Sequence, residues 1–416
     1  MRRLLTVTFF TGLLTLIKMF SGFVVAKIVA VYTGPTGIVM LGQIQSIVTT
    51  LNGLVNSPVG PGIVRFTSEN DKNGYDECAK WWQASTRWVA LILAIILPLT
   101  ILTSSYISSW VLGTSDFGWV LVITAFLLPF TAAGTFIASV INGQQQYKKY
   151  VVLGMVSAFL SLTIMLLLII VGNIYGALLA VAVQNAVVGI VMIFYSLRKP
   201  WFKIKYLWGQ VDSRRMKDIR GYILMAVTSA IVVPCSLILI RNIIVQYAGW
   251  TQAGYWQAVW RISETYLAII TIALSTYYLP RLSAIKDNKL IVNEVNATLK
   301  VVLPVVVLCA TGVYILKDFI ISVLFTKEFY SARDLFKYQL LGDVLKIISW
   351  LYAYTMISKG MTKIFVLSEI VFAASFVAIS YFFVIHYGVY GAPMAYCINY
   401  SLYLLFAIYV VYRVKS

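Results

Sequence analysis

Ten ionisable side chains lie inside apolar stretches of this 416-residue chain: Lys18, Lys27, Arg87, Arg241, Arg261, Glu264, Lys337, Asp343, Lys346 and Glu369. On translocon-derived scales a lysine at the centre of a membrane-crossing helix costs about 2.5–3.5 kcal/mol, so such residues normally face a bundle interior or a watery cavity and mark a substrate path. Seven of the ten are basic and three acidic. A cavity lined by that surplus selects an anion, and phosphate is the anion best recognised by charge-assisted hydrogen bonds from lysine and arginine.

Lys18 is the strongest of these cations as a candidate. It is the deepest in the first apolar run, has no acidic neighbour in sequence, and has Gly22 one turn away to leave room. Lys27 is nine residues further, about 13.5 Å along a helix axis and on the opposite face of an ideal helix. Both line one cavity only if the helix bends at Ser21-Gly22 or if Lys27 snorkels outward. Plainer readings stay open for the others. Arg87 is close enough to a helix end to snorkel, Lys337 sits one turn inside the rim, and Arg261 with Glu264 and Asp343 with Lys346 form i,i+3 pairs that can neutralise each other. Glu264 and Glu369 read either as counter-ions to Arg241 or Arg261, or as carboxylates that carry a proton or hold Na⁺. The candidates are therefore Lys18, Lys27, Arg241, Arg261 and Lys346 for substrate binding, and Glu264, Asp343 and Glu369 for ion coupling.

The surrounding chain is built to hold such groups in a bilayer. It is 60% hydrophobic and 12% charged, against 45–50% and about a quarter for a soluble domain. Apolar runs long enough to span, about 20 residues each, fall near 7–31, 37–62, 84–111, 117–141, 151–171, 175–197, 221–246, 253–279, 300–322, 333–356, 364–385 and 390–411. This predicts an all-α polytopic membrane protein with about twelve crossings. The apolar start after Met1-Arg2-Arg3 exceeds a signal-peptide core and lacks a convincing cleavage site, so it reads as an uncleaved first helix.

The formal net charge of +18 sorts by side of the membrane. Alternate gaps hold the basic residues, Lys148, Lys149, Arg198, Lys199, Lys203 and Lys205 among them, while the other gaps hold almost none. The positive-inside rule then places both termini in the cytoplasm and removes nucleic acid as a partner. In the cytoplasmic gaps, Leu282, Leu290, Ile291, Val295 and Leu299 are spaced for a helix lying on the membrane. Cys78, Cys235, Cys309 and Cys397 are far apart and His386 is the lone histidine, which predicts no disulfide framework or metal site and buried, apolar roles for the cysteines.

Tyr32-Thr33-Gly34 recurs as Tyr247-Ala248-Gly249, and Tyr175-Gly176-Ala177 as Tyr390-Gly391-Ala392, both at a spacing of 215 (247 − 32, 390 − 175). The repeat predicts two pseudo-symmetric six-helix bundles around a central cavity, residues 1–197 and 221–416, joined by a basic linker at 198–220. No acid/base or nucleophile set stands in a large outer loop, so an enzyme is not expected.

Residues 16–37 (L-x-K-x(3)-G-x(4)-K-x(2)-A-V-x(2)-G-P-x-G), GYWQAVWRISETYLAII at 254–270, YYLPRLS at 277–283 and RDLFKYQLLGDVLK at 333–346 resemble the Wzx-type flippases of the multidrug/oligosaccharidyl-lipid/polysaccharide exporter superfamily. The resemblance runs over essentially the whole chain. It implies alternating access and translocation of undecaprenyl-diphosphate-linked oligosaccharide repeat units, of the O-antigen or enterobacterial common antigen type, from the cytoplasmic to the periplasmic leaflet of a bacterial inner membrane. It implies basic positions at Lys18, Lys27, Arg241 and Lys346 and acidic ones at Glu264, Asp343 and Glu369; Arg261 and Lys337 depart from the pattern. The partners expected are the lipid-linked glycan and membrane lipid, with a polysaccharide polymerase and chain-length regulator left open. No cofactor is expected beyond H⁺ or Na⁺ coupling. A cation-coupled small-molecule exporter of the same superfamily is the alternative, though its cavity should be acidic where this chain is basic.

Overall fold

The computed structural model describes the backbone of residues 2–209, 211, 213–285 and 287–414, and their side chains except at 2–11, 13, 14, 18, 213, 214, 217, 218, 221, 222, 225, 273, 275, 276, 280, 284, 288, 289 and 414. Among the described residues the regular structure is helical, with no strand. In chain order the helices are α1 (Arg2–Asn56), α2 (Pro61–Asn70), α3 (Tyr75–Leu112), α4 (Gly118–Gly143), α5 (Tyr147–Ser196), α6 (Ile204–Leu207), α7 (Ser213–Ala248), α8 (Trp250–Ala273), α9 (Leu279–Ala284), α10 (Asn288–Ile315), α11 (Lys317–Leu324), α12 (Phe336–Ser358), α13 (Thr362–Tyr387) and α14 (Gly391–Val414).

Eight described stretches are long and apolar enough to cross a membrane. Three of them, Thr15–Asn73, Tyr147–Ser196 and Thr362–Arg413, run to 59, 50 and 52 residues, more than twice the ~20 that one crossing needs. Each is broken by a residue with left-handed φ: Gly34 at 60°, Asn173 at 48° and Gly388 at 58°. At the first break Pro35 follows directly, so the chain loses a backbone donor where Gly34 turns it, and the helix axis is interrupted. With the breaks counted and with α8, whose 24 residues carry the charges Arg261 and Glu264, the predicted dozen crossings are in place. Their outward faces are apolar: Leu102 is 83% exposed, Val171 85% and Leu308 74%. Water would penalise such faces; hydrocarbon does not.

The internal duplication is written in the backbone as well as in the sequence. Left-handed residues pair as Gly34 with Gly249, Gln145 with Gly360, and Asn173 with Gly388, every pair 215 residues apart (249 − 34, 360 − 145, 388 − 173). The turns around the middle pair share one hydrogen-bond pattern. After α4, the amides of Gln144, Gln145 and Gln146 donate to the carbonyls of Val140, Asn142 and Ile141; after α12, those of Lys359, Gly360 and Met361 donate to Thr355, Ile357 and Met356. Each α12 partner is again 215 residues beyond its α4 counterpart.

The helices gather into two compact units, Met1–Tyr32 with Met40–Cys235, and Thr33–Val39 with Ser236–Ser416. In the first unit a core of Trp82, Phe136, Ile137, Val140 and Met192 also takes in Trp201 from beyond α5. α4 and α5 touch backbone to backbone, since a Cβ on Gly134 would lie 2.5 Å from Gly189 Cα. Small residues let membrane helices approach that closely. In the second unit, Pro35 is accommodated because Gly254 on α8 has no side chain where the Pro35 carbonyl passes.

Two expectations need correction here. The apolar face at 282–300 does not belong to a helix lying on the membrane. Leu282 is in the short α9, and Ile291 and Val295 are in the first turns of α10; all three are buried in one core with Leu274, Tyr278, Leu351 and Ala407, and Leu299 packs against it, while Leu290 alone of the five is exposed. The same i,i+4 spacing serves protein packing as well as a lipid surface, and periodicity cannot separate them. The cysteines also differ from one another: Cys78 is buried, but Cys309 is exposed on α10, among that helix's outward apolar residues.

The repeat generates a prediction. A Cβ on Gly176 would meet the Leu168 carbonyl oxygen at 1.7 Å, and one on its partner Gly391 would meet that of Phe383 at 2.3 Å, whereas Gly312 has nothing within 4 Å. Gly176→Ala and Gly391→Ala should each cost about 1–3 kcal/mol, as overpacking does. Gly312→Ala should leave the melting temperature in detergent unchanged, as thermal unfolding followed by circular dichroism would register.

Candidate functional site

Of the ionisable residues inside apolar stretches, Arg241, Arg261, Glu264, Lys337, Asp343, Lys346 and Glu369 belong to the second unit, and α8 carries two of them. Gln257, Arg261 and Glu264 follow one another at i, i+4 and i+7, which puts them on one face of that helix. Arg241 on α7 is 2% exposed, and its Nε donates to Gln257 Oε1 at 2.7 Å. Arg241 and Arg261 both lie within electrostatic reach of the Glu264 carboxylate. Glu264 therefore has two guanidiniums, not one, within electrostatic reach. It is exposed, while Arg261 is half-buried, so the carboxylate can meet water or an ion.

A second face of α8 carries Trp256, Trp260, Ser263 and Leu267, all buried. It meets α12 and α14 around Asp343, which has no exposed surface. Tyr266 donates its hydroxyl to Asp343 Oδ2 at 2.7 Å, Tyr396 donates to Oδ1 at 3.0 Å, and Gln339 Nε2 reaches Oδ1 at 3.5 Å. A buried carboxyl group is expensive unless its oxygens find donors, and here both do.

One turn along α12, Lys346 occupies an aromatic cage. Its Nζ stands 5.0 Å from the Trp350 ring centroid, 5.5 Å from Tyr400, 5.6 Å from Trp260 and 5.8 Å from Tyr396. Each ring face attracts the ammonium by about 0.5–2 kcal/mol. Asp343 and Lys346 therefore satisfy themselves mainly on different partners, hydroxyls for the acid and rings for the base, with mutual attraction acting across the turn. Tyr396 serves both, by its hydroxyl and by its ring.

The remaining candidates lie elsewhere along the chain. The Lys18 side chain lies outside the described residues. Lys27 is half-buried on α1 and Glu369 half-buried on α13, the latter within electrostatic reach of Tyr403. Lys337 is exposed at the start of α12, with Nζ 5.6 Å from the Tyr338 ring. Arg87 on α3 donates to the Gly209 carbonyl at 2.9 Å, with Trp208 beside it, so its charge is held by a neighbouring segment of the chain.

A search of the sequence for charged groups alone misses Gln257, Tyr266, Tyr396 and the cage rings. A usable signal exists for one: Gln257 stands four residues before Arg261, the spacing at which a polar side chain shares a helix face with a charge. The tyrosines and tryptophans of the cage carry no such mark in a chain with 27 tyrosines and 11 tryptophans.

Residues 76–334 match the family described as "Polysaccharide biosynthesis protein". The chain is 26% identical over 393 residues to the lipid III flippases of Escherichia coli (strain K12) and Shigella flexneri, an alignment covering 94% of this chain and 94% of each relative. Its fold is similar to that of an inward-facing multidrug transporter of the MATE family, with a TM-score of 0.76, 11% identity, and 96% and 95% of the two chains covered. It is also similar to the lipid II flippase MurJ in an inward closed conformation, with a TM-score of 0.73, 16% identity, and coverage of 98% and 87%.

The Asp343 network is open to a direct test. Tyr396→Phe keeps a ring beside Lys346 and removes one donor from a fully buried carboxyl group, so it should cost about 1–3 kcal/mol of unfolding free energy. Tyr247→Phe is the control: its hydroxyl meets that of Tyr381 at 3.4 Å on an exposed surface, and its loss should change stability by less than about 0.5 kcal/mol.

Proposed function

We propose, on the footing that the chain belongs to the polysaccharide biosynthesis protein family, that it is a flippase of the Wzx type, carrying a polyprenyl-diphosphate-linked oligosaccharide from one leaflet of the bacterial inner membrane to the other. The observation that carries this reading is the buried Arg241, oriented by Gln257 and sharing Glu264 with Arg261. A guanidinium is planar, keeps its charge and carries its donors as a fork, the geometry that suits phosphate oxygens, and Arg241 and Arg261 bring two such groups within electrostatic reach of one carboxylate. A diphosphate and its sugars cannot enter hydrocarbon without replacement of their hydration, and cations in a wetted part of the bundle replace it.

In this reading Arg241 and Arg261 grip the headgroup. Lys346 adds a cation held in place by its rings, and Lys18 and Lys27 are cations that the headgroup meets during transit. The polyprenyl tail stays in lipid. Transport runs by alternating access from the cytoplasmic face, with both termini on that side. The glycan is an O-antigen or enterobacterial common antigen repeat unit, the latter in keeping with relatives named lipid III flippases. A transporter must also release what it binds, so the grip is moderate. Glu264, exposed between two arginines, competes with phosphate for them and is the natural place for H⁺ or Na⁺ to act. Asp343, tied by two tyrosine hydroxyls, and Glu369 are the further coupling candidates.

Two experiments in proteoliposomes loaded with a fluorescent polyprenyl-diphosphate glycan test the assignment. Arg241→Ala and Lys18→Ala should each slow translocation at least about tenfold, the effect of losing one charge-assisted contact, while Lys337→Ala should match wild type. Undiminished translocation with Arg241 and Lys18 both replaced would overturn the headgroup role. Glu264→Gln should abolish the response of the rate to an imposed proton or sodium gradient; a response that survives would remove Glu264 from coupling.

A further inference from the structure

The segment between α5 and α7 is fastened to α3 and has two unlike sides. Its inner side is protein core. Trp201 is 3% exposed and stands edge-on to Trp82 at 5.8 Å, and Tyr206 meets Tyr75 at 6.0 Å. Three α3 side chains hold its backbone: Gln83 Nε2 donates to the Lys205 carbonyl at 2.8 Å, Thr86 Oγ1 to that of Leu207, and an Arg87 guanidinium nitrogen to that of Gly209 at 2.9 Å. Positions 83, 86 and 87 share one helix face, and they take alternate carbonyls of the segment. The chain there cannot rotate without breaking all three bonds.

The outer side is apolar and basic together. Ile204 is 83% exposed, Leu197 58% and Trp208 55%, the last with the Arg87 guanidinium 6.0 Å from its ring, and Arg198, Lys203 and Lys205 between them are exposed too, Lys205 with its ammonium 4.4 Å from the Tyr206 ring at the margin of the surface. This surface continues one that already faces lipid. Ile190 and Phe194 on α5 and Leu197, the residue that caps it, are exposed at i, i+4 and i+7, a single stripe that runs off the end of the crossing and into the segment. Tryptophan gathers at the membrane–water interface, and clustered lysine and arginine beside a crossing attract anionic headgroups, each cation contributing about fivefold.

We propose that residues 197–208 form a membrane-surface anchor for anionic phospholipid: Leu197, Ile204 and Trp208 enter the acyl boundary while Arg198, Lys203 and Lys205 pair with headgroup phosphates. A soluble acidic partner fits less well, because the apolar anchors prolong a lipid-facing helix stripe and do not form a separate patch. The α3 fastening sets which side of the segment meets lipid, so the anchor moves with α3.

The test uses the full chain in nanodiscs of phosphatidylcholine doped at equal mole fraction with acyl-brominated phosphatidylglycerol or acyl-brominated phosphatidylcholine. Subtracting the emission of Trp208→Phe from that of wild type isolates the Trp208 signal. That signal should be quenched by both lipids, and several-fold more by brominated phosphatidylglycerol. The variant K203Q/K205Q, which leaves Arg198, should lose most of the difference and keep the common quenching. A Trp208 signal that neither lipid quenches would place the segment in water or under protein, and equal quenching by both would remove the headgroup preference; either result overturns the proposal. Melting temperatures of both variants within about one degree of wild type establish that the fold is unchanged, as the exposure of these side chains requires.

Discussion

A peptide group in hydrocarbon has no water to bond, and each unsatisfied N–H or C=O there costs several kcal/mol. Nearly everything in this chain follows from that constraint. The crossings are helical because a helix satisfies its own backbone. Where the helices break, at Gly34, Asn173 and Gly388, the break falls between two crossings. Where the chain turns after α4 and α12, the last amides find carbonyls of the preceding turn in one shared pattern. The 215-residue duplication preserves those exits because an exit at bilayer depth is far more costly to misplace than a side chain.

The same constraint governs the polar side chains, and it explains why they come in groups. Asp343 has no exposed surface and takes hydroxyls from two other helices. Lys346, one turn away, is surrounded by four rings. Both are compensated by residues that are themselves apolar over most of their surface, so the bundle gains specificity without filling with charge. Around Arg241 the compensation is different in kind, an amide and a shared carboxylate. One helix, α8, carries both arrangements on two faces.

The segment beyond α5 shows a third response. Its backbone leaves the regular helix, and α3 supplies the donors that its carbonyls would lack. Trp82 and Trp201 fill the space beneath. Cations and large apolar groups are left exposed, a composition that suits a membrane interface.

Hydropathy and length determined the fold class and the dozen crossings, because both are a matter of transfer energy summed over about 20 residues, and the twofold repeat was legible because similar turn residues recur at one spacing. The candidate cations were legible as anomalies against an apolar background, but their partners were not. That Glu264 serves Arg241 as well as Arg261, that Gln257 orients the guanidinium, and that Lys346 finds rings while Asp343 finds hydroxyls all depend on which helix faces meet. Tertiary packing decides that, since glutamine and tyrosine in a membrane helix carry no charge for transfer energy to flag. The face at 282–300 is the clearest instance: its periodicity is real, but i,i+4 spacing marks only that a surface is covered, and the fold alone chose protein over lipid as the cover.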